Sequence, residues 1–358
     1  MSLPRYRAAV IGCGKMSRGH SHAYANSPNV DLIAAADVFE GPRSAFTQEF
    51  GIGNTYADPA EMLEREKPDL VSVCTWPPLH TELAIAAISS GAKGVWCEKP
   101  MAVHLEDARK MVDAASAAGA TLVINHQRRY MARYNIAIDL IHRGKIGTVT
   151  QITGICGGDT LTDGTHLIDM TRYLNGDASI DKVFGAIDMT PMGDVNPDGM
   201  GTIEFNKTRT RYGHHVETGA LALLFFANGV RGHLEMGSLS RGGYQRFIVD
   251  GTEGRIDISG DQPFADGSSL HIRSKSGETE ILPAIGQESP MEAALAAMLE
   301  SIERGTPHPM SGESALADTE IITAIYESAR QRKTIQLPVT VDRSPLETML
   351  EEGEIALN

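Results

Sequence analysis

Short continuous apolar runs alternate with segments of helical periodicity in the first 143 residues of the chain. The apolar runs predict strands at residues 6–11, 32–36, 70–74, 94–97 and 121–125. The segments between and after them predict helices over about residues 16–26, 42–50, 59–66, 80–90, 105–118 and 131–143. Continuous apolar strands separated by helices are typical of a parallel sheet that is covered by helices on both faces.

The remainder of the chain shows a different pattern, in which strand-like runs and turn signals follow one another closely. Strands are predicted at residues 149–154, 180–188, 219–226, 230–237, 247–251 and 255–259, and helices at about 164–174, 291–304 and 314–332. Strands at short spacing without crossover helices predict a mostly antiparallel sheet. Residues 189–212 are rich in Gly, Pro, Asp and Asn, which favours an extended loop or insertion.

These patterns predict an α/β protein with two domains and a tail. The first domain, over residues 1–125, carries a doubly wound parallel sheet, and the second, over 126–340, is an α/β domain with a large, mostly antiparallel open sheet. Residues 341–358 are interpreted as a C-terminal tail.

Composition agrees with two folded domains and excludes several classes of protein. The 358 residues exceed what one hydrophobic core usually serves, and 42% hydrophobic residues can fill large cores. A net charge of −14 without a basic run argues against nucleic-acid binding. The sequence shows no apolar stretch of transmembrane length and no signal peptide, so we expect a cytoplasmic protein without membrane association.

The four cysteines are widely spaced and form no CxxC pattern, which argues against a zinc site. Cys74 and Cys97 each end a predicted strand and are interpreted as small buried thiols. We therefore expect a reducing compartment.

Glycines stand at the turn between the first strand and the first helix. Gly12 and Gly14, followed by Lys15 and Met16, would let the backbone approach a pyrophosphate that sits on the helix N-terminus. Ser17 occupies the third position of the pattern, so the motif is incomplete. An ordinary tight turn between strand and helix is the alternative interpretation.

An acidic residue at the end of the second strand strengthens the case for a dinucleotide. The carboxylate of Asp37 can accept hydrogen bonds from an adenosine ribose and would repel a 2′-phosphate. Val38 beside it supplies no cation, so the sequence favours NAD over NADP. Arg43 lies nearby and keeps NADP possible.

Polar clusters follow three further strands of the predicted parallel sheet. The carboxyl ends of such strands lie on one edge, where ligands bind, so we expect these clusters to converge on one crevice. The candidate cofactor contacts after the strands are Thr75, Trp76, Pro77 and His80, then Glu98, Lys99 and Pro100, and His126 and Arg128 follow the last strand. We interpret His126 and Arg128 as substrate contacts.

Lys99 is the most informative of these residues. It directly follows a buried strand, and a lysine there could polarise a substrate hydroxyl or help to transfer its proton. A solvated lysine paired with Glu98 is the alternative.

The second domain contributes His166, near the start of a predicted helix, as a candidate acid–base group. Asp163 and Asp169, three residues to either side, could orient its imidazole, and Asp159 is a candidate substrate contact. A capping or core histidine is the alternative, and a metal site here would need more ligands, so no metal is predicted. The histidines expected at surface positions are His20, His22, His214 and His215.

Taken together, these motifs resemble the Gfo/Idh/MocA family of oxidoreductases. The resemblance is carried by residues 12–20 and 75–80, by Glu98-Lys99-Pro100 and Gln127-Arg128-Arg129, and by residues 164–169 and 250–254. It implies a Rossmann domain followed by an α/β domain with a large open sheet. It also implies that Lys99 and His166 are catalytic and that Lys99 and Pro100 face the nicotinamide.

Three residues depart from the family's usual pattern. Ser17 replaces the third glycine, and Trp76 stands where a proline is common, which places an indole beside the nicotinamide. The family's usual catalytic aspartate lies four residues before the histidine, where this chain has Thr162; the nearest aspartate is Asp163. Either Asp163 substitutes for it, or the enzyme works with Lys99 and His166 alone.

The function that the resemblance implies is hydride transfer between NAD(P) and a secondary alcohol or ketone carbon of a sugar, cyclitol or sugar derivative. Two alternatives stay open, namely a glycosidase that holds NAD tightly and a non-catalytic sensor of dinucleotide. Residues 221–226 are apolar on both strand faces, which favours a homodimer or homotetramer formed through the second domain's sheet, with burial under intrachain loops as the alternative.

Overall fold

The computed structural model describes residues 5–190, 209–240, 245–260, 269–283 and 289–355. The chain forms two compact units, one made of residues 1–127 and 288–316 and the other of residues 128–287 and 317–358. The domain boundaries proposed from sequence stay a prediction, and the first unit adds residues 288–316, which come late in the chain. The predicted loop at 189–212 lies, over residues 191–208, outside the described residues.

The first unit is built on a parallel sheet. Its strands are β1 (Tyr6–Ile11), β2 (Val30–Ala36), β3 (Asn54–Tyr56), β4 (Leu70–Val73), β5 (Gly94–Cys97) and β6 (Thr121–Ile124). Within the described chain their order across the sheet is β3-β2-β1-β4-β5-β6, and every neighbouring pair is parallel. The strand order reverses between β1 and β4, which is the switch point where ligands bind in doubly wound sheets. The parallel sheet predicted from the apolar runs is confirmed.

Helices connect these strands and cover the sheet. They are α1 (Ser17–Asn26), α2 (Glu40–Phe50), α3 (Pro59–Glu66), α4 (His80–Ser89) and α5 (Leu105–Ala118), joined by α8 (Pro290–Arg304) and residues 312–316 from later in the chain. The core between sheet and helices is made of small apolar side chains such as Ala9, Val71, Ala84, Val95 and Ala108. Because the strands bury both faces, they read as continuous apolar runs.

The second unit is built on a wide, mostly antiparallel sheet. In the described residues its strand order is β16-β15-β14-β13-β7-β12-β11-β8-β17, and β7 with β12 is its parallel pair. The strands β7, β8 and β11–β14 are Val149–Cys156, Ile180–Asp188, Gly219–Phe226, Arg231–Gly237, Gln245–Gly251 and Gly254–Gly260. The remaining strands are β15 (Ser269–Ser274), β16 (Thr279–Pro283) and β17 (Ile335–Gln336), and a separate small hairpin pairs β9 (Thr210–Arg211) with β10 (His214–His215). The predicted antiparallel sheet is confirmed.

Helices also belong, wholly or in part, to the second unit. They are α6 (Ala132–His142), α7 (Gly164–Leu174), α9 (Gly312–Gln331) and α10 (Pro345–Glu351). Helix α7 contacts β7, β12 and β13, and its residues from Gly164 to Arg172 are all buried. The segment expected to be a tail contains α10, whose Leu346 and Met349 are buried. Within the described chain, no helix combines the length and the hydropathy that crossing a membrane requires.

Candidate active site

The turn after β1 requires glycine at its first position. Gly12 has φ +92°, and a Cβ there would lie 2.5 Å from the backbone oxygen of Cys74. Its N–H donates to the carbonyl of Ala36 at 2.7 Å, which ties the turn to the end of β2. A side chain at this position would therefore push the turn away from the backbone that follows β4.

The second glycine of the turn faces open space. A Cβ at Gly14 would meet nothing within 4 Å, and Gly14, Lys15 and Met16 are all exposed. The first turn of α1 contains no acidic residue, and Met16 gives the helix no side-chain cap. An exposed helix N-terminus with no acidic residue in its first turn suits an anionic group such as a pyrophosphate.

Ser17, at the third position of the glycine pattern, is fully buried and is part of the turn itself. Its Oγ donates to the carbonyl of Gly14 at 2.6 Å. Arg18 donates to the carbonyl of Cys13 at 2.5 Å and also to that of Gly14. Ser17, where the pattern usually has glycine, thus stabilises the turn through its side-chain hydrogen bond.

Asp37 follows β2 directly and holds the same turn. Its carboxylate accepts the backbone N–H of Cys13 at 2.8 Å and that of Phe39 at 2.9 Å. Arg43 donates to the backbone oxygen of Asp37 at 2.5 Å. The negative charge and a cation therefore both lie at the end of β2, as the sequence predicted.

The segment after β4 is anchored by a buried histidine. The Nε2 of His80 lies 3.0 Å from the carbonyl oxygen of Thr75, and its Nδ1 lies 2.8 Å from that of Pro100. His80 thereby joins the segment after β4 to the segment after β5. Trp76 is 60% exposed, so its indole is available to a ligand at this edge of the sheet.

Thr75 supplies a buried hydroxyl at the same edge. Within the described part of the chain, nothing forms a hydrogen bond with its Oγ1. A buried hydroxyl of this kind needs a partner from outside the protein, such as water or a ligand.

Glu98, which the sequence suggested as a cofactor contact, points into the unit. Its Oε1 accepts from His20 Nε2 at 3.0 Å and from Asn125 Nδ2 at 2.6 Å, and its Oε2 accepts the backbone N–H of Lys99 at 3.2 Å. Burial acts to raise the pKa of Glu98, but its hydrogen bond with His20 and the charges of His20 and Lys99 lower that pKa overall. The carboxylate is therefore ionised and held by protein donors.

The surface position expected for His20 is wrong. His20 is fully buried on α1, 4.0 Å from the ring of Trp96, and its Nδ1 lies 2.9 Å from Ser72 Oγ. Sequence reasoning missed this because the partners, Ser72 and Glu98, lie 52 and 78 residues away.

Lys99 is half-buried and lies two residues after the end of β5. Its main chain is fixed by Glu98, and Pro100 beside it is tied to His80. The first unit thus brings Gly12, Gly14, Asp37, Thr75 and Lys99 to the carboxyl edge of one parallel sheet.

In the second unit, His166 lies in the first turn of α7 and is buried. Its backbone N–H donates to the backbone carbonyl of Asp163 at 3.2 Å. The Asp163 carboxylate accepts from Arg211 at 2.7 Å, and the same Arg211 nitrogen donates to Asp159 at 2.6 Å. Arg211 was missed from the sequence, because it stands in a segment interpreted as loop and carries no motif.

Asp159 belongs to a buried polar cluster around the start of α7. It also accepts the backbone N–H of Thr162 at 2.6 Å. Nearby Glu217 accepts from the backbone and hydroxyl of Thr160 and from the hydroxyl of Tyr326, each at 2.7 Å. Burial, and then the charge of Asp159, raise the pKa of Glu217.

The surface position expected for His214 is also wrong. Only 2% of the residue is exposed, and burial lowers the pKa of its imidazole. His22, in the first unit, is exposed as predicted.

Asp169 takes part in a second charged cluster on α7. Arg129 donates to Asp169 at 2.8 Å and forms a bidentate pair with Asp177, with both distances at 2.8 Å. Arg172 donates to Asp318 at 2.7 Å, and burial raises the pKa of Asp318 to about 7. The hydrogen bond from Arg129 therefore fixes the position of the Asp169 carboxylate.

The two remaining substrate candidates are buried. Arg128 donates to Gln245, which also accepts from the hydroxyl of Tyr134 at 3.1 Å. His126 follows β6 in the first unit, and its backbone N–H donates to the backbone carbonyl of Ile124 at 2.6 Å.

Two family models match the chain over most of its length. Residues 6–126 match the oxidoreductase family with an NAD-binding Rossmann fold (GFO_IDH_MocA). Residues 154–337 match the C-terminal alpha/beta domain of the same oxidoreductase family.

Individual proteins with similar sequences match it nearly end to end. A D-apiose dehydrogenase of Paraburkholderia graminis is 28% identical, with 99% of this chain and 96% of the relative covered. A myo-inositol 2-dehydrogenase of Thermotoga maritima is 25% identical, with 92% and 98% covered. The crystal structure of an oxidoreductase from Agrobacterium radiobacter, in complex with NAD⁺, L-tartaric acid and magnesium, has a TM-score of 0.76 at 20% identity, with 93% and 98% covered. At 20% identity, the similarity to this crystal structure shows a shared fold and nothing further.

Proposed function

Since the chain belongs to the Gfo/Idh/MocA family of NAD-binding oxidoreductases, we propose that it transfers a hydride between NAD and a secondary alcohol or ketone carbon of a sugar or cyclitol. The observation that carries the proposal is the placement of Lys99 at the carboxyl edge of the parallel sheet, on the same edge as the glycine turn. The sugar and inositol dehydrogenases that resemble the chain over nearly its whole length support the substrate class.

The residues present fit a nicotinamide dinucleotide. Gly14 leaves a space that a Cβ would fill, next to a helix N-terminus suited to phosphate. Asp37 can accept from the adenosine ribose, and Thr75 Oγ1 is a buried hydroxyl open to an outside partner. Arg43, bound to the backbone of Asp37, leaves some tolerance for NADP.

The bound cofactor supplies a hydride acceptor for the alcohol and a hydride donor for the ketone. In the oxidation direction, His166 takes the hydroxyl proton and the ammonium of Lys99 stabilises the developing negative charge on oxygen. Asp163 and Arg211 hold the start of α7, from which His166 projects, and Asp163 assists in place of the family's usual aspartate.

Substrate hydroxyl groups contact Asp159, His126 and Arg128 in this proposal. Asp159 and Arg128 are already oriented by protein partners, Arg211 and Gln245, which fixes their polar atoms for binding. Trp76 provides an exposed aromatic face.

We also propose that the protein is a homo-oligomer, a dimer or tetramer, formed through the wide sheet of the second unit. Phe184, Leu221 and Leu223 lie next to one another on that sheet and are 36–41% exposed, although all three are large and apolar. A second copy of the chain would cover them. Four buried, unpaired thiols favour a reducing cytoplasmic location.

The direct test is NADH formation by the purified protein with NAD⁺ and a panel of cyclitols, aldoses and sugar acids. We expect steady accumulation of free NADH with at least one cyclitol or aldose. Sugar turnover without free NADH would favour the glycosidase, and NAD binding without any turnover in either direction would favour the sensor.

A further inference from the structure

A continuous buried network of polar side chains lies behind Lys99. It comprises His20 and Tyr24 on α1, Ser72 on β4, Trp96 on β5, and Glu98 and Asn125 at the ends of β5 and β6. We call these six residues the Glu98 network. All six are buried, although a core of this kind usually holds apolar side chains.

The directions of three hydrogen bonds in the Glu98 network follow from the donor and acceptor groups of the side chains. The indole of Trp96 can only donate, so at 3.2 Å it fixes the oxygen of the Asn125 amide. The amide nitrogen must then face Glu98, to which it donates at 2.6 Å. The ionised carboxylate only accepts, so His20 Nε2 carries a hydrogen towards it.

Three donors converge on the Glu98 carboxylate from three different parts of the unit. They come from α1, from the residue after β6, and from the main chain of Lys99. An ionised carboxylate is costly to bury unless such donors satisfy it, and a well-packed apolar group of similar size would often be as stable. Stability alone therefore gives a weak reason for a glutamate at this position.

The last of these bonds is the informative one, because it ends on the residue that the proposed function makes catalytic. On this basis, and resting on the proposed function, we propose that Glu98 is a positioning residue, which fixes the main chain of Lys99 and does not itself bind the cofactor. One carboxylate oxygen already has two protein donors and the other has one.

The Glu98 network also joins Lys99 to the cofactor site. His20 lies on α1, the helix that begins at the glycine turn. The same carboxylate therefore holds the helix that is placed for the pyrophosphate and the backbone that carries the catalytic ammonium. Shared anchoring of this kind fixes the position of the Lys99 ammonium relative to the bound cofactor. A displacement of about 1 Å between reacting groups can lower the rate by about a hundredfold.

Glu98→Gln is the primary test, because it keeps the size of the side chain while removing its charge. Glutamine presents an NH₂ group to donors, so at least one of the three bonds is lost. We expect kcat to fall by about 10- to 100-fold while the Kd for NADH, measured by fluorescence, changes by less than about threefold.

Glu66→Gln is the matched control. Glu66 lies in the same unit and is also bonded, to the hydroxyl of Tyr56 at 2.6 Å and to Arg7 at 3.2 Å, but it touches no candidate site residue. We expect this variant to lose some thermal stability and to keep kcat within about twofold of the wild-type value.

A second readout needs no turnover. Reductive methylation with ¹³C-formaldehyde labels Lys99, whose signal is assigned with a Lys99→Arg variant, and NADH-bound and free proteins are compared by NMR. We expect the Lys99 methyl signal to move or broaden in Glu98→Gln and to stay unchanged in Glu66→Gln. If Glu98→Gln fails to fold, Asn125→Ser, which removes one donor and keeps the charge, should show the same changes at smaller size.

Two results would overturn the proposal. One is a Kd for NADH that weakens about tenfold with kcat retained, which would make Glu98 a cofactor ligand. The other is an unchanged Lys99 signal together with an unchanged kcat. Failure of the proposed function looks different, because wild-type protein would then show no turnover while the Lys99 signal still responded to Glu98→Gln.

Discussion

At the scale of single residues, we propose that Asp37 sets the preference for NAD over NADP. Its carboxylate braces the glycine turn through two backbone N–H groups and presents a negative charge at the end of β2. The carboxylate would repel the 2′-phosphate of NADP, whereas the guanidinium of the neighbouring Arg43 would attract it.

We therefore expect Asp37→Ser to raise the ratio of kcat/KM for NADP to that for NAD by about tenfold or more, which corresponds to about 1.4 kcal/mol. Steady-state kinetics with both cofactors measure the ratio. Adding Arg43→Met should reverse the gain. A ratio that stays constant in Asp37→Ser would show that the adenosine ribose lies elsewhere.

Some candidate residues can be predicted from sequence because their position relative to a strand carries the information. Gly12 and Asp37 directly follow apolar runs, Lys99 comes two residues after one, and all three lie at the predicted edge of the sheet. The burial of His20 and the involvement of Arg211 could not be predicted. Each depends on partners that only folding brings close, Glu98 in one case and Asp159 in the other.

At the scale of elements, the segment formed by β1, the glycine turn and α1 contains two glycines. We expect one of them to be needed for folding and the other for binding the cofactor. Gly12 is required by its φ of +92° and by the backbone of Cys74, whereas Gly14 faces open space. The two glycines therefore serve different purposes, although the sequence motif treats them alike.

We expect Gly12→Ala to lower thermal stability, by more than about 1 kcal/mol, and also to weaken NADH binding. Gly14→Ala should leave the melting temperature unchanged and still weaken NADH binding, because its methyl group occupies space meant for the ligand. Differential scanning fluorimetry and NADH titration of both variants check this. Equal loss of stability in the two variants would contradict the assignment.

Sequence patterns predicted most helices and strands, including the four-residue strands β5 and β6, but they missed β3, β15, β16 and β17. Strands β3 and β17 have three and two residues, so pairing with a neighbour defines them more than their own sequence does. The local sequence also does not predict that residues 288–316 join the first unit. Helix α8 is an ordinary amphipathic helix, and its partner, α1, lies far away in sequence.

At the scale of the whole molecule, we propose that the exposed apolar face of the second unit's sheet forms the interface between copies of the chain. Leu223 is 41% exposed and lies opposite Phe184 on the neighbouring strand. Leaving this apolar surface in water is unfavourable, at roughly 25 cal/mol per Å².

We expect Leu223→Glu to convert the oligomer into a smaller species, since a charge would then be buried in the interface. Size-exclusion chromatography with light scattering measures the mass, and Leu223→Met serves as the control that keeps the surface apolar. Wild-type protein that runs as a monomer at micromolar concentration would exclude the proposed interface.

The central claim is that a carbon-bound hydrogen of the substrate passes to the nicotinamide with the help of Lys99. The most direct measurement uses a substrate found in the panel, deuterated at the reacting carbon, in single turnovers followed by mass spectrometry of the reduced cofactor. The account predicts one deuterium in NADH from wild-type protein, and formation at least about a hundredfold slower in Lys99→Met with NAD affinity nearly intact. Deuterium that stays on the sugar, or equal rates in the two proteins, would contradict it.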